Sequence, residues 1–305
     1  MKDLLPIHDV ITQVQEAITI GKRAVIVAPP GAGKTTIIPL KLLDNPNING
    51  QIIILEPRRL AARAAASQMA AILNESIGET IGFKIKGLTK VSKQTRIVVM
   101  TEGILIRMIQ SNPSLSEVGC IIFDEFHERS INSELGLALS LQLAEILRSD
   151  LRIIVMSATL DVGSVSDLLD TKAPIISDGR AYPVNCEYLS RPRSKNDKLW
   201  ENFAKLVSDA FEMTEGGILA FLPGEAEIRA TEKLLKEKLP NSAIIMPLYG
   251  SLPFEQQNKI LEPLKDETFR KVVLSTSIAE TSLTISGIKV VVDSGYTRRS
   301  CLLYT

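Results

Sequence analysis

The chain has 305 residues, about two ordinary domains, and its 45% hydrophobic content supplies a core for each. Lysine plus arginine equals aspartate plus glutamate at 35 each, so no global field draws in a polyanion and any nucleic-acid site must be a local patch. Cys120, Cys186 and Cys301 are too far apart for a disulfide framework or a CxxC metal site, the first residues lack a signal-peptide core, and no run approaches a membrane span; a soluble cytoplasmic protein is expected.

Short Val/Ile-rich runs alternate with helical spacing along the first half. Strands are expected at Ala24–Ala28, Gln51–Leu55, Arg96–Met100, Cys120–Phe123 and Leu151–Met156, where near-continuous apolarity fits strands buried on both faces of a parallel sheet. Helices are expected at Thr35–Leu43, Leu60–Leu73, Gly103–Gln110 and Glu134–Leu147, which together give a doubly wound α/β domain. From Asp178 to Asp197 the sequence turns polar, basic and proline-containing, as a linker does, and the first domain is assigned to residues 1–180. The rhythm then restarts with helix Lys198–Met213, strand Gly217–Leu222, helix Glu225–Leu239, strand Ala243–Leu248, helix Pro253–Leu261 and strands Lys271–Ser275 and Ile288–Asp293. This second α/β domain, residues 181–305, has no phosphate loop of its own.

The stretch Ala28-Pro-Pro30-Gly31-Ala32-Gly33-Lys34-Thr35-Thr36 joins the first strand to the first of these helices. It matches GxxxxGK[ST] with Ala28 in place of the first glycine. Strand, glycine turn and helix N-terminus together make a polyphosphate site: backbone N–H groups and the helix dipole face the anion, Lys34 reaches the β/γ-phosphates and the Thr35 hydroxyl holds Mg²⁺. Asp124-Glu125-Phe126-His127 follows the fourth strand at its carboxyl end. Downstream of a phosphate loop, Asp124 suits the metal role and Glu125 the base that activates water. His127-Glu128 does not continue as HExxH, because Ile131 stands at the second histidine position and His8 is the other histidine of the chain.

These motifs, with Ser157-Ala-Thr159, resemble the DEAH-box branch of the RNA helicases, and Phe126 in place of alanine resembles its bacterial HrpB-type members. Glu56-Pro-Arg-Arg-Leu-Ala-Ala-Arg63 is similar to motif Ia, Thr101-Glu-Gly103 to Ib, Phe221–Ile228 to IV, and Leu248–Pro253 and Ser275–Thr284 to the segments through V. The resemblance implies two tandem RecA-like domains with mainly parallel sheets, binding ATP with Mg²⁺ between them and single-stranded RNA, without sequence preference, across their top. It puts Lys34, Asp124, Glu125 and His127 in the catalytic set and Arg58, Arg59, Thr101, Gly224 and Thr281 along the RNA backbone. It also implies that Ser157 and Thr159 couple nucleotide state to movement and that Thr284 approaches the ribose. Phe269 either stacks on the base or is an ordinary core or surface phenylalanine, and Arg58 and Arg59 are alternatively a solvated helix start. Ser286 and Gln68 depart from the family pattern at ribose and base contacts. Aromatic residues make up 5% of the chain, which argues against an aromatic platform for bases.

Motif VI, QRxGRxGR, is expected after motif V, and the 305 residues contain nothing like it. The expectation is an N-terminal portion of a longer helicase, monomeric, with poor hydrolysis of its own. The competing expectations are a nucleotide-gated binding module without turnover and a DNA-directed NTPase.

Overall fold

Long aliphatic runs with no polar face can form strands only where both faces of a sheet are covered, and that is how the first half folds. The computed structural model describes residues 5–159, 162–171, 173–179, 183–189, 198–266, 268–280 and 284–298. It divides into two compact units, Met1–Pro183 and Val184–Thr305.

In the first unit a 3₁₀ turn at Pro6–Val10 leads into α1 (Ile11–Ile20) and β1 (Arg23–Val27), followed by α2 (Lys34–Leu42), β2 (Gln51–Glu56) and α3 (Arg59–Ile72). Next come β3 (Ile81–Ile85), β4 (Leu88–Lys90), β5 (Ile97–Thr101), α4 (Glu102–Ser111) and β6 (Val118–Phe123). A second 3₁₀ turn (Phe126–Glu128), α5 (Ile131–Ile146), β7 (Arg152–Ser157), α6 (Gly163–Leu168) and β8 (Ile175–Ile176) complete it. The sheet order is β4-β3-β5-β2-β6-β7-β1-β8, parallel throughout except for the antiparallel β3–β4 pair. Ile52, Ile54, Val99, Ile122, Ile154 and Met156 face one layer of helices, while Ile53, Val98, Ile121, Phe123 and Val155 face the other. Parallel pairing places the carboxyl ends of β1, β7, β6, β2 and β5 along one edge, and the loops at that edge carry the motifs.

The strands expected from sequence are present within one or two residues of their bounds. Sequence reading missed α1, the β3–β4 pair, α6 and β8.

The second unit has α7 (Leu199–Met213), β9 (Gly217–Phe221), α8 (Glu225–Lys238), β10 (Ala243–Leu248), α9 (Phe254–Leu261), β11 (Arg270–Ser275) and β12 (Ile288–Asp293). Its four strands run parallel in the order β10-β11-β9-β12. The amphipathic helix α7 buries Phe203, Ala204, Val207 and Phe211 against Ile218, Ala220 and Val272. Arg270 closes one end, its guanidinium 4.0 Å over the Phe211 ring and donating to the carbonyls of Phe211 and Gly216. Among the described residues no helix is long and apolar enough to cross a membrane.

Candidate active site

The phosphate loop is built by what β1 cannot continue. Ala28 is fully buried and its N–H still bonds to the Ser157 carbonyl at 3.0 Å, so an alanine in the first glycine's place packs into the core. The chain then turns, with Gly31 at φ 77° and Gly33 at φ 92°, conformations glycine adopts without strain. A Cβ at Gly33 would come within 2.8 Å of Leu5 Cδ1 and 3.3 Å of Ile7 Cγ2, so space excludes a side chain as well. The Ala32 N–H closes the turn onto Pro29 O, and the N–H groups of Thr36 and Ile37 take Gly33 O. No acceptor among the described residues takes the N–H groups of Gly31, Gly33, Lys34 or Thr35. Free donors at the start of α2, with its dipole behind them, are an anion site. Pro30 is exposed on this turn, while Ala32 and Thr36 are buried beneath it.

Asp124 and Glu125 leave the end of β6 beside this loop. The Asp124 N–H bonds to Leu55 O at 3.0 Å, and its carboxylate accepts from the Glu125 N–H at 2.7 Å and from the Thr35 hydroxyl. Lys34 Nζ lies 3.1 Å from Glu125 Oε1, and Lys34, Asp124 and Glu125 are 4%, 1% and 8% exposed. Glu125 is held left-handed at φ 49°, and so is Arg129 at φ 51°; the 3₁₀ turn between them is bracketed by strained residues, as active-site segments often are. His127 Nδ1 accepts the Ala158 N–H at 3.3 Å and lies 3.4 Å from Glu125 Oε2. One nitrogen cannot both accept from Ala158 and donate to the carboxylate, so these two contacts are alternatives. Ser157 Oγ donates to Thr159 O and accepts the Thr159 N–H, which pins the turn after β7.

Burial, and then the neighbouring Glu125 charge, raises the Asp124 carboxyl from its ordinary range to about 6. Glu56, at the end of β2, is pushed well up by burial and by the charges of Asp124 and Glu125, with Lys34 opposing. For Asp124 the folded state holds a proton that the unfolded chain has lost between about pH 4 and 6. That contribution to stability is therefore complete below the unfolded value and gone above about pH 6. Asp124→Asn should accordingly stabilise the nucleotide-free chain at pH 8 by up to about 3 kcal/mol, and by little at pH 4. Urea unfolding of both proteins at the two pH values checks this, and equal stabilities at pH 8 would contradict it.

The loops after β2 and β5 form a second feature of the same sheet edge. Arg59, Lys86, Thr101, Gly103, Arg107 and Asn132 line a concavity of about 300 Å³. Arg59 is exposed, whereas the half-buried Arg58 pairs with Glu128 at 3.4 Å. Glu102 accepts the Ser130 hydroxyl, and Ser130 caps α5 by accepting the Ser133 N–H at 2.9 Å. Both motifs Ia and Ib are thus tied to the turn that follows Glu125. Lys86, Arg107 and Asn132 were missed by sequence reasoning; each comes from a different segment, and the one local signal is Gly87 turning at φ 82° after Lys86.

In the second unit Gly224 caps α8, where a Cβ would meet Glu227 Oε2 at 2.9 Å and Arg298 Nη1 at 3.2 Å. Thr284 is exposed, and Phe269, 38% exposed, precedes β11 and is a surface residue within its own unit. Thr281 lies outside the described residues.

Comparison with known proteins gives the class. Residues 9–168 match the DEAD/DEAH box helicase family and residues 194–302 the helicase conserved C-terminal domain, so the chain belongs to the DEAD/DEAH box helicases and has their two tandem α/β domains. Within the family it is similar to HrpB-type members. It is 43% identical over 294 residues to the ATP-dependent RNA helicase HrpB of Escherichia coli (strain K12), which covers 96% of this chain and 36% of that protein. It is 36% identical to the ATP-dependent RNA helicase HrpA of the same organism, over 99% of this chain and 23% of that one. A crystal structure of the E. coli DEAH/RHA helicase HrpB superposes with a TM-score of 0.88 at 44% identity, covering 95% of this chain and 36% of that one. The chain thus spans about a third of the length of HrpB.

Proposed function

We propose that the chain binds Mg²⁺-ATP in its first unit, hydrolyses it, and belongs to an ATP-dependent RNA helicase that moves along or unwinds RNA. The observation that carries this reading is the pairing of Thr35 with Asp124 and of Lys34 with Glu125 beneath N–H groups that have no acceptor among the described residues. These residues fit the group: hard oxygen donors suit Mg²⁺, free N–H donors suit phosphate, and no group of three or more His, Cys, Asp or Glu among the described residues competes as a chelating cluster. Thr35 and Asp124 would hold the ion, which when bound neutralises phosphate charge.

The chain's own residues supply the remaining steps. Lys34 turns from Glu125 to the phosphate oxygens, and the N–H groups of Gly31, Gly33, Lys34 and Thr35 fix the phosphates in place. The Glu125 carboxylate, released from Lys34, orients the attacking water and takes its proton. His127, exchanging Ala158 for Glu125 at Nδ1, lets the turn after β7 sense whether Glu125 is engaged; Ser157 and Thr159 set that turn. In the second unit Thr284 and Phe269 serve the ribose and base.

RNA lies along the loops after β2 and β5, its phosphates on Arg59, Lys86 and Arg107 with Thr101 beside them, Arg58 acting through Glu128, and Gly224 and Thr281 contributing from the second unit. Such contacts carry no sequence information. Each phosphate neutralised on a single strand contributes about −0.7 to the slope of log K against log salt, so a handful of contacts gives weak, salt-sensitive binding. Arg59→Ala should lower affinity equally for unrelated single strands and flatten the slope by about one contact. Fluorescence anisotropy at several salt concentrations tests this; a preference for one sequence, or unchanged affinity and slope in the variant, would move the RNA elsewhere.

A second reading, a nucleotide-gated binding module without turnover, is favoured by the lack of QRxGRxGR in these 305 residues. ATPase assays with RNA, with DNA and with no polymer separate the readings: stimulation by RNA alone supports a helicase, stimulation by DNA a DNA-directed NTPase, and bound but unhydrolysed nucleotide the gated module.

A further inference from the structure

Glu56 is the last residue of β2 and carries no role in the mechanism above. Its side chain is buried, the residue being 1% exposed, and its Oε2 has no hydrogen-bond partner among the described residues. A buried carboxylate oxygen left unpaired opposes folding, so its retention calls for a ligand that completes it. The strand register says where that ligand would lie. Leu55 pairs with Phe123, and the Asp124 N–H bonds to Leu55 O, so Glu56 and Asp124 are the next neighbours across β2 and β6. Side chains at matched positions of adjacent strands share a face, which puts the Glu56 carboxyl beside the carboxylate that takes the Thr35 hydroxyl.

We propose that Glu56 is a positioning residue of the nucleotide site, its free oxygen accepting a hydrogen bond from a water in the shell of the divalent cation that accompanies the nucleotide. The inference rests on the reading of Thr35 and Asp124 as the cation's side chains. It works through water because no direct chelating cluster exists among the described residues, and Mg²⁺ commonly retains several waters in nucleotide sites. Outer-shell groups of this kind hold first-shell oxygens in place, and losing one typically costs about 10–100-fold in metal affinity.

The test uses the 305-residue chain, a non-hydrolysable ATP analogue, and Mn²⁺ as the probe, with free Mn²⁺ read by electron paramagnetic resonance. Glu56→Leu, which fills the space but accepts no hydrogen bond, should weaken Mn²⁺ binding to the nucleotide complex by about 10–100-fold. Glu56→Gln keeps an acceptor oxygen and should lose no more than about threefold. In EDTA both variants should bind the analogue as the parent chain does. The nucleotide-free thermal midpoint of Glu56→Leu should be equal or higher, since an unpaired buried polar atom has been removed. Unchanged Mn²⁺ affinity in Glu56→Leu would overturn the proposal. So would a thermal midpoint that falls in both Glu56→Leu and Glu56→Ala, which would assign the residue to the fold. If the parent chain itself fails to hold Mn²⁺ with the analogue, the nucleotide-site reading falls first; if it binds and only the variants are indifferent, the role of Glu56 alone is lost.

Discussion

Lys34→Ala lowers the stability of the nucleotide-free chain by about 3–5 kcal/mol, the usual cost of removing one partner of a buried ion pair. Lys34 is 4% exposed with its ammonium 3.1 Å from Glu125, and the carboxylates of Asp124 and Glu56, both 1% exposed, lie close by. Its removal leaves a buried acidic cluster without that counter-charge. For a unit of this size each kcal/mol moves the thermal midpoint by roughly 2–4 °C, so calorimetry should show the first unit melting roughly 6–20 °C lower. Glu125→Gln removes the orphaned charge, and the double variant should recover a large part of the loss. A midpoint unchanged by Lys34→Ala would show that the pair does not form in solution.

Hydrolysis by these 305 residues should be slow by about 10³–10⁵-fold relative to a family member carrying QRxGRxGR, with little stimulation by RNA. Positive charge delivered to the transferring phosphoryl group supplies an effect of that size in related NTPases, and the arginines of QRxGRxGR would add to what Lys34 and the loop N–H groups provide. Single-turnover assays with the purified chain, with and without single-stranded RNA, measure it. Brisk RNA-stimulated turnover would mean that the arginines are dispensable or come from elsewhere.

Strands β1, β2, β5, β6 and β7 were legible because each is a short Val/Ile-rich run buried on both faces, and its length and bounding turn residues, rather than any period, mark it as a strand. Ala243–Leu248 and Ile288–Asp293 fold with the bounds expected of them. What was missed lacked that signal. All three residues of β4 are exposed, β8 is two residues long, and α1 buries Val14 and Ile18 but leaves Ile20 83% exposed, which blurs its periodicity. In β3, Gly82 interrupts the apolar run; it is required because Lys90 O would sit 2.6 Å from a Cβ there.

At the site, the meeting of the phosphate loop with Asp124 and Glu125 was legible from the rule that parallel strands gather their carboxyl ends at one edge. The side-chain pairings were not. Glu56 stands in the sequence only as the first residue of the segment similar to motif Ia, with no role of its own, and the packing of β2 against β6 is what buries it beside Asp124. The contact of His127 with Ala158 joins residues 31 apart through a left-handed turn that no propensity announces, since non-glycine residues rarely adopt one. Likewise, the basic concavity of Arg59, Lys86 and Arg107 is assembled from separate segments of a chain with no net charge, and composition conceals it.

The most direct test of the account is a calorimetric titration of Mg²⁺-bound ATP into the chain and into its Lys34→Ala and Glu125→Gln variants, below the melting range of each. Glu125→Gln keeps the shape of the site and frees Lys34 for phosphate, so it should bind as tightly as the parent or more so, while turnover falls by about 10²–10⁴-fold. Lys34→Ala loses charge-assisted bonds worth about 1.5–3 kcal/mol, a weakening of roughly 10- to 150-fold. That divergence is the result expected of a site in which Lys34 binds and Glu125 reacts; equal loss of binding in the two variants would contradict it.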